Sequence, residues 1–283
     1  MQDEELKDAI SKEFDKKRAV VAFLDILGFK DIVRKYVNPK NHEDKKTLED
    51  IKFALNDALK QIREGPYSKY NLVKYKIFSD STSFSVPEGR GQPYETSMLC
   101  MLMTVVKGYN FQLMLRDKYP RGGIATGFHH EDENMIFSES LIKAYTLESE
   151  KAIYPRTVLD EELVKRLKKM WKYQKNTMKL FGTHKQIITD KKGTTFVNPF
   201  NVIYSSSRDQ LASIKKSFTN EKDFVKEVRR LDNWYNFEVL KNVENKLEEY
   251  KDDEDVLPKY EWLKELLQWN IDPESSNKFE YLL

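Results

Sequence analysis

The sequence has little cysteine: Cys100 is its only thiol, so no disulfide bond can form within the chain. Long apolar runs are also missing, because the longest, Met98 to Val106, is far below the ~20 residues that span a bilayer. Residues 1–17 are charged on almost every turn and lack the apolar segment of a secretory signal. We therefore expect a cytoplasmic protein with no membrane partner.

An excess of one charge sign is absent as well. Lysine and arginine total 48 against 46 aspartate and glutamate, which leaves a formal net charge of +2. Proteins that bind duplex nucleic acid normally carry a strong basic excess, so we expect no nucleic-acid partner. A local basic pocket for a phosphorylated small molecule is compatible with this balance.

The sequence does contain two kinds of hydrophobic pattern. Some segments are continuously apolar or alternate between apolar and polar residues, which indicates strands, and others carry apolar residues along one helical face, which indicates helices. Their order predicts an α/β (α+β) fold with a mixed sheet, and no glycine-rich dinucleotide fingerprint follows the first strand. The predicted elements are, in order, helix 3–17, strand 19–24, a helix from residue 29 to before 39, helix 48–63, two strands within 71–86, helix 94–119, strand 121–128, helix 140–152, strand 155–159, helix 160–173, a loop or hairpin over 174–195, strand 196–204, and helices 208–219, 221–250 and 258–270.

Three serines at 205–207 mark a boundary in this order. We predict an N-terminal helix over 1–17, an α/β domain over 18–204 and a helical C-terminal extension over 205–283.

Two aspartates, at the end of a predicted strand and in a turn between two strands, are candidates for a functional site. Asp25 ends the first buried strand, where an unpaired carboxylate is costly, and Gly28 lets the chain turn into a helix whose free amides suit a phosphate. Asp80 lies in a turn between two strands. Each has a plainer interpretation, since Asp25 could cap the following helix and Asp80 could be an ordinary turn residue. Together, carboxylates from adjacent strands can hold two divalent cations for phosphoryl transfer.

Three short motifs occur along the first half of the chain: residues 23–29 read F-L-D-I-L-G-F, residues 76–80 read K-I-F-S-D, and residues 121–127 read R-G-G-I-A-T-G. In sequence and order these motifs resemble those of the class III nucleotidyl cyclases. The resemblance covers about residues 18–160. It implies the family's ferredoxin-like palm, with residues 18–204 as the cyclase domain.

The resemblance also assigns roles to residues of the first two motifs. Asp25 and Asp80 would hold two Mn²⁺ or Mg²⁺ ions, and the carbonyl of Ile26 would add to the second ion. The amides from Leu27 through Gly28 to Phe29 would hold phosphate. Lys76 either contacts the base or is a solvent-facing strand lysine.

The sequence departs from the purine cyclases in one respect. Their transition-state Asn and Arg correspond here to Ile142 and Thr146, neither of which can donate a charge-assisted hydrogen bond. The candidates for the missing positive charge are, in order, Arg121, Lys143 and Arg156.

The segments A-Y-T-L-E at 144–148 and Y-P-R at 154–156 are similar to those of the bacterial pyrimidine cyclases of Pycsar antiphage systems. That resemblance implies an active enzyme that converts UTP or CTP to the 3′,5′-cyclic monophosphate and pyrophosphate. A bulky residue such as Tyr75 or Phe78 would narrow the base pocket to a pyrimidine. The family further implies a homodimer with sites at the interface, and a separate effector protein that responds to the cyclic nucleotide.

Other readings stay open at this point. A degenerate homologue would bind a nucleotide as a sensor or scaffold, and a palm polymerase would make linear products. Residues 129–132 read H-H-E-D, and all four side chains are of types that bind metal ions. Adjacent histidines on a strand face opposite sides and cannot easily share one ion, so an exposed hairpin tip is the favoured interpretation.

Overall fold

The computed structural model of this chain describes residues 14–64, 72–89, 94–180, 183–200 and 221–283. Within these residues a nine-stranded sheet is accompanied by seven α-helices. The strands are β1 Phe14–Ile26, β2 Lys74–Phe78, β3 Ser81–Gly89, β4 Pro120–Glu131, β5 Ile136–Ser138, β6 Thr157–Leu159, β7 Ile187–Asp190, β8 Thr195–Val197 and β9 Phe279–Tyr281. The helices are α1 Phe29–Val37, α2 His42–Glu64, α3 Tyr94–Leu115, α4 Glu139–Lys151, α5 Glu161–Leu180, α6 Glu221–Glu249 and α7 Leu257–Ile271.

The first four strands and the helices between them make a β-α-β-β-α-β unit. Hydrogen bonding orders these strands β2-β3-β1-β4 with every pairing antiparallel, which is the ferredoxin-like arrangement. The sheet continues as β6-β8-β7-β9, and the pairing of β4 with β6 is parallel. The predicted α/β class, ferredoxin-like palm and mixed sheet are therefore confirmed, and α6 and α7 form the C-terminal helices.

Two apolar clusters hold these elements together. The first fills the space between the sheet and helices α2, α3 and α5, and it contains Leu24 and Phe84. The second joins the end of α3 to α7 and β9 through residues such as Phe111, Leu263 and Phe279. Since a fully buried large apolar side chain contributes about 1.5–3 kcal/mol, the second cluster attaches the C-terminal elements firmly to the sheet.

Helix α3 is the central helix of the first cluster. By length and composition it is the one described helix apolar enough to cross a membrane, and 78% of its most apolar window is buried inside the fold. Its apolar side chains on all sides are explained by contacts with the sheet and with α2 and α5.

The N-terminal helix predicted over residues 3–17 falls largely outside the described residues, and its last part is wrong. Phe14 pairs with Gly89 of β3, and a bulge follows before Ala19. Pairing of the backbone with β3 overrides the helical spacing of the side chains, so β1 starts five residues before the predicted strand.

The region between α5 and the C-terminus differs from the prediction in detail. Helix α5 runs to Leu180 with a kink at Gln174, and the β7–β8 hairpin follows. The strand predicted over 196–204 is limited to β8 in the described part, and the helix predicted over 208–219 lies outside the described residues. After α7 the chain adds β9, which pairs with β7 and which the patterning does not predict.

Candidate active site

One end of the sheet brings four ionisable side chains together; we name it the carboxylate edge and define it by Asp25, Asp80, Arg121 and Glu148. Asp25 lies near the end of β1, directly opposite Arg121 of β4. The Ser81 hydroxyl, at the start of β3, donates to Asp25 Oδ1 at 3.4 Å. The strand order places β1 between β3 and β4, so Asp25 is the central residue of the edge.

Asp80 approaches Asp25 from the β2–β3 turn, where the preceding Ser79 adopts a left-handed backbone with φ 60°. The pKa of Asp25 is raised to about 6, first by burial, then by the charges of Asp80 and Glu148 and by a hydrogen bond with Asp80, while Arg121 opposes the rise. Two neighbouring carboxylates that repel each other in a half-buried place are an arrangement that a cation relieves.

The plainer reading of Asp25, as a cap of the following helix, is wrong. The residue at the N-cap of α1 is Gly28, with no hydrogen bond from a capping side chain. The contacts of the Asp25 carboxylate lie instead with the neighbouring strands.

Arg121 is held between two carboxylates. Its Nε lies 2.7 Å from Glu148 Oε1 and 3.6 Å from Asp25 Oδ2. Glu148 comes from α4 and its side chain is only 4% exposed. Burial raises the pKa of Glu148, the Arg121 charge lowers it, and the charge of Asp80 raises it further. Arg121, the first candidate for the missing positive charge, thus lies beside the predicted Asp25. Its closest acidic partner is Glu148, which the sequence analysis did not assign to the site.

The β1–α1 loop, residues 26–29, follows directly from the carboxylate edge. Gly28 has φ 72°, a left-handed conformation that favours glycine, and α1 begins at Phe29. The Leu27 amide donates to the Tyr119 carbonyl at 3.0 Å, so the expectation that it holds phosphate needs correction. The amides of Gly28 and Phe29 stand before the first turn of α1, where helix N–H groups lack intrahelical partners.

Lys76 lies on the edge strand β2, where its Nζ donates to the Glu133 carbonyl at 3.2 Å. Beside it, Lys74 donates to the Glu131 carbonyl at 3.2 Å, and a cavity of about 320 Å³ opens between β2 and residues 131–133. Lys76 is therefore neither simply solvent-facing nor directed at the carboxylate edge.

The side chains of the other two candidates for positive charge bind groups outside the carboxylate edge. Lys143 binds Glu139 at 2.8 Å and reaches the carbonyl of Thr126 at 3.4 Å. Thr126 is five residues along β4 from Arg121, or about 17 Å at ~3.4 Å per residue. Within one chain, Lys143 and the two aspartates are not brought together.

Arg156 is a buried structural residue, which corrects its prediction as a substrate-binding group. Its guanidinium binds Asp190 at 2.6 Å and lies over the rings of Tyr154, Phe196 and Trp262 at 5.2–5.5 Å. With its side chain 5% exposed, it ties β6 to β7 and α7 and cannot reach a substrate at the edge.

The expected exposed tip at residues 129–132 is correct for one histidine and wrong for the other. His129 is half-buried, with Nδ1 2.8 Å from the Ser138 hydroxyl and Nε2 3.1 Å from Glu131 Oε2. His130, facing the other way, is 54% exposed beside Asp132. The alternation of strand side chains separates the two rings, as expected.

The donor set at the carboxylate edge suits a cation shared with a substrate. Among the described residues no three His, Cys, Asp or Glu side chains are grouped to hold a metal ion by themselves. Mg²⁺ in nucleotide sites is typically bound by one or two carboxylates together with phosphates and water. Asp25 and Asp80, with their mutual repulsion, fit that kind of site.

Glu148 is the site residue that sequence reasoning missed. The A-Y-T-L-E segment contains it, but its charge gives no sign of burial. Its position four residues after Ala144 offers a signal, because Ala144 is fully buried and residues four apart share a helix face.

Searches against known proteins give structural neighbours only. No protein-family model matches the sequence, and no curated protein matches it. One neighbour is the monomeric guanylyl cyclase domain of the RhoGC fusion protein from the aquatic fungus Blastocladiella emersonii. Its TM-score is 0.37 at 14% identity, over 65% of this chain and 96% of that one.

A class III adenylyl cyclase-like ATP-binding protein from Pseudomonas aeruginosa has a TM-score of 0.36 at 10% identity, over 64% of this chain and 38% of that one. The guanylyl cyclase Cya2 has a TM-score of 0.31 at 10% identity, over 54% of this chain and 79% of that one. All three are cyclases or cyclase-like proteins. With TM-scores below 0.5, these likenesses establish no activity for this chain, and its fold assignment rests on its own strand order.

Proposed function

We propose that this chain is a nucleotidyl cyclase that converts UTP or CTP to the 3′,5′-cyclic monophosphate and pyrophosphate. The observation that carries the proposal is the pair Asp25 and Asp80, side by side at strand ends with Arg121 between Asp25 and Glu148. Three weak sequence motifs supply these residues in the order of the class III cyclases, and the ferredoxin-like strand order brings them to one place.

In this proposal the side chains have separate tasks. Two divalent cations, Mg²⁺ or Mn²⁺, would be held by Asp25, Asp80 and the Ile26 carbonyl. When bound, such cations increase the acidity of a ribose 3′-hydroxyl and neutralise charge on departing pyrophosphate. The amides of Gly28 and Phe29 bind a phosphate at the start of α1.

Arg121 completes this set as the charged group nearest the reacting phosphate. Its guanidinium stabilises negative charge that develops at the α-phosphorus, and Glu148 fixes its direction. The 3′-oxygen forms a bond to the α-phosphorus, the bond from that phosphorus to the bridging oxygen breaks, and the hydroxyl proton passes to solvent.

Pyrimidine specificity is the finer part of the proposal and is supported by the sequence segments at 144–148 and 154–156. Tyr75 and Phe78 lie on opposite faces of β2 and both are exposed, so either one is available to line a base pocket. The same segments motivate an antiphage role, in which a separate effector protein reads the cyclic nucleotide.

A homodimer is the assembly we propose, with sites at its interface. Its support is an apolar surface on β4, β5 and α4 that is 37–67% exposed and comprises Phe128, Met135, Phe137, Ile142 and Tyr145. Lys143 lies on the same helix as Ile142, so the proposed interface would include Lys143.

The test is incubation of the purified chain with each of the four NTPs and Mn²⁺, followed by mass spectrometry of the products. Asp25→Asn and Asp80→Asn should each lose at least about a hundredfold in turnover, because each organises the charge of the site. Asp31→Asn is the matched control, since this exposed carboxylate on α1 makes an ion pair with Arg34 at 2.9 Å.

The identity of the products distinguishes a pyrimidine cyclase from a purine cyclase and from a polymerase. Cyclic UMP or cyclic CMP, absent from both variants and present in the control, supports the proposal and names the base. Cyclic AMP or GMP would keep the reaction type and contradict pyrimidine specificity. Linear or oligomeric products would indicate a polymerase instead.

One observation favours a second candidate, a nucleotide sensor. All three candidate cations already have acidic partners, Arg121 with Glu148, Lys143 with Glu139 and Arg156 with Asp190. Metal-dependent nucleotide binding without any product would support the sensor over the enzyme.

A further inference from the structure

The β1–α1 loop, residues 26–29, is attached to the C-terminal helices through a chain of specific contacts. The side chain of Leu27 packs against the second apolar cluster, which is built largely from α6, α7 and β9. Its amide donates to the carbonyl of Tyr119 at 3.0 Å. The loop is therefore fixed both by its side chain and by its backbone.

Tyr119 connects this loop to helix α6. Its hydroxyl donates to Asp117 Oδ1 at 2.8 Å, and the other carboxylate oxygen of Asp117 binds Lys246 Nζ at 3.0 Å. Lys246 lies near the end of α6 and is only 16% exposed. Because charge-assisted hydrogen bonds in half-buried places are the strong ones, this series is a firm connection.

Aromatic packing and a second ion pair reinforce the same connection. The ring of Tyr119 meets Tyr260 of α7 edge-on at 5.1 Å. Lys246 also binds Glu249 at 2.7 Å, and Glu249 lies 3.5 Å from Lys35 on α1. Helix α6 thus reaches the loop at two points: through Tyr119, whose carbonyl accepts from the Leu27 amide, and through α1, which follows the loop in the chain.

Helix α1 is held by partly buried contacts, because Phe29 and Ile32 pack against the first apolar cluster and α1 also contacts α2. None of its residues is buried, and several apolar side chains on it are exposed. A helix without fully buried residues has low local stability, so the ion pair with α6 adds to these contacts in setting the position of the loop.

We propose that the C-terminal helices are a positioning element for the β1–α1 loop, with Lys246 as the positioning residue that acts through Asp117 and Tyr119. The proposal assigns a task to the C-terminal helices, and it rests on the proposed function because the loop is taken to bind phosphate. A structural change at α6, such as binding of another molecule there, would change phosphate binding at the loop.

The test compares the full chain with Lys246→Met, which removes the charge and keeps the length. Lys251→Met is the matched control, because Lys251 follows the same helix and makes an exposed ion pair with Glu248 at 2.8 Å. Lys246→Arg serves as a rescue variant. Tyr119→Phe breaks the Asp117 hydrogen bond while the ring can still pack on Tyr260.

The first readout is amide hydrogen exchange in protein without nucleotide. We expect the peptide over residues 24–31 to exchange about tenfold faster in Lys246→Met and Tyr119→Phe. Exchange over residues 122–127 of β4 should stay unchanged in both, and Lys246→Arg and Lys251→Met should match the wild type. Unchanged exchange at 24–31, or equal acceleration in β4, would overturn the proposal.

The second readout is binding of inorganic triphosphate with Mn²⁺, which needs no base. We expect affinity about tenfold weaker in Lys246→Met and unchanged in Lys251→Met. Equal affinity in both variants would contradict the positioning role. If wild-type protein binds neither triphosphate nor any NTP, the proposed function fails, while the exchange experiment still decides whether α6 holds the loop.

Discussion

At the scale of single side chains, the position of the Asp25 carboxylate lowers the stability of the folded chain. Burial and the neighbouring carboxylates raise its pKa to about 6, so at neutral pH the folded chain holds an unfavourable charge. We predict that Asp25→Asn stabilises the metal-free protein by about 1–2 kcal/mol at pH 8. Because the folded-state pKa is above the unfolded value, wild-type Asp25 gains a proton as pH falls through 6, and the difference should shrink towards pH 5.

Urea denaturation in EDTA at the two pH values measures this difference. Asp31→Asn, with its exposed carboxylate, should change stability by less than about 0.5 kcal/mol at either pH. A destabilised Asp25→Asn at pH 8 would mean that its charge is already neutralised by Arg121.

Arg121, whose side chain is 29% exposed, and Glu148, whose side chain is 4% exposed, form an ion pair whose two partners should not contribute equally to stability. We predict that Arg121→Met destabilises the chain by about 2–4 kcal/mol, because it leaves Glu148 beside Asp25 and Asp80 without a cation. Glu148→Gln should cost only about 1 kcal/mol, since Arg121 still has Asp25 at 3.6 Å. Denaturation of both variants and the double variant tests this order, and equal costs would show that Arg121 does not interact with the aspartates.

The sequence motifs identify candidate site residues, but they predict poorly which side chains and backbone groups those residues contact. Asp25, Asp80 and Arg121 follow from three short patterns, and the structure brings them to one place. Arg156 also follows from a pattern, but its burial against Asp190 depends on β7, which is distant in sequence. The hydrogen bond of the Leu27 amide likewise depends on Tyr119, more than ninety residues away.

Among the helices and strands, the contact between α4 and β4 depends on a glycine of the R-G-G-I motif. A Cβ at Gly123 would clash with the carbonyl oxygen of Ala144 in α4. We predict that Gly123→Ala costs about 3 kcal/mol, because α4 would have to move off the sheet. The same movement would draw Glu148 away from Arg121.

Gly193→Ala is the matched control, since its Cβ would meet open space and only its φ of 79° opposes the change. We expect a cost of about 1–2 kcal/mol there, from backbone strain alone. Thermal unfolding of both variants decides the point, and a smaller loss at Gly123 than at Gly193 would contradict the tight contact of α4.

The boundaries of a strand could be predicted from sequence where burial determines its pattern of apolar residues. They could not be predicted where pairing with another strand determines them. The apolar run of residues 19–24 predicts the centre of β1 correctly, because both faces of that strand are buried. Residues 14–17 become strand only because β3 offers a partner edge, and β9 forms only because β7 does. A partner strand distant in sequence leaves no trace in local periodicity.

The chain as a whole joins its predicted α/β domain and its C-terminal helices through one sheet and one shared apolar cluster. Phe111 of α3 and Ile188 of β7 lie in that cluster with Leu263 and Phe279 from the C-terminal elements. Removing the C-terminal elements would expose several large side chains at about 1.5–3 kcal/mol each, comparable with the 5–15 kcal/mol total stability typical of a domain. We therefore predict that the described elements unfold in one cooperative transition.

Two reporters in different places test this prediction. The single cysteine, Cys100, is buried in the first cluster, so thiol labelling reports when that cluster opens. Trp269 and Trp262 belong to or pack on the second cluster, so in a background of Trp171→Phe and Trp234→Phe the fluorescence reports on that cluster. The urea midpoints from labelling and fluorescence should coincide, and Leu263→Ala should lower both by the same amount, equivalent to about 2–5 kcal/mol. If Leu263→Ala lowered the fluorescence midpoint alone, the C-terminal helices would unfold as a separate unit. Their contacts with the β1–α1 loop would then be independent of the folding of the sheet.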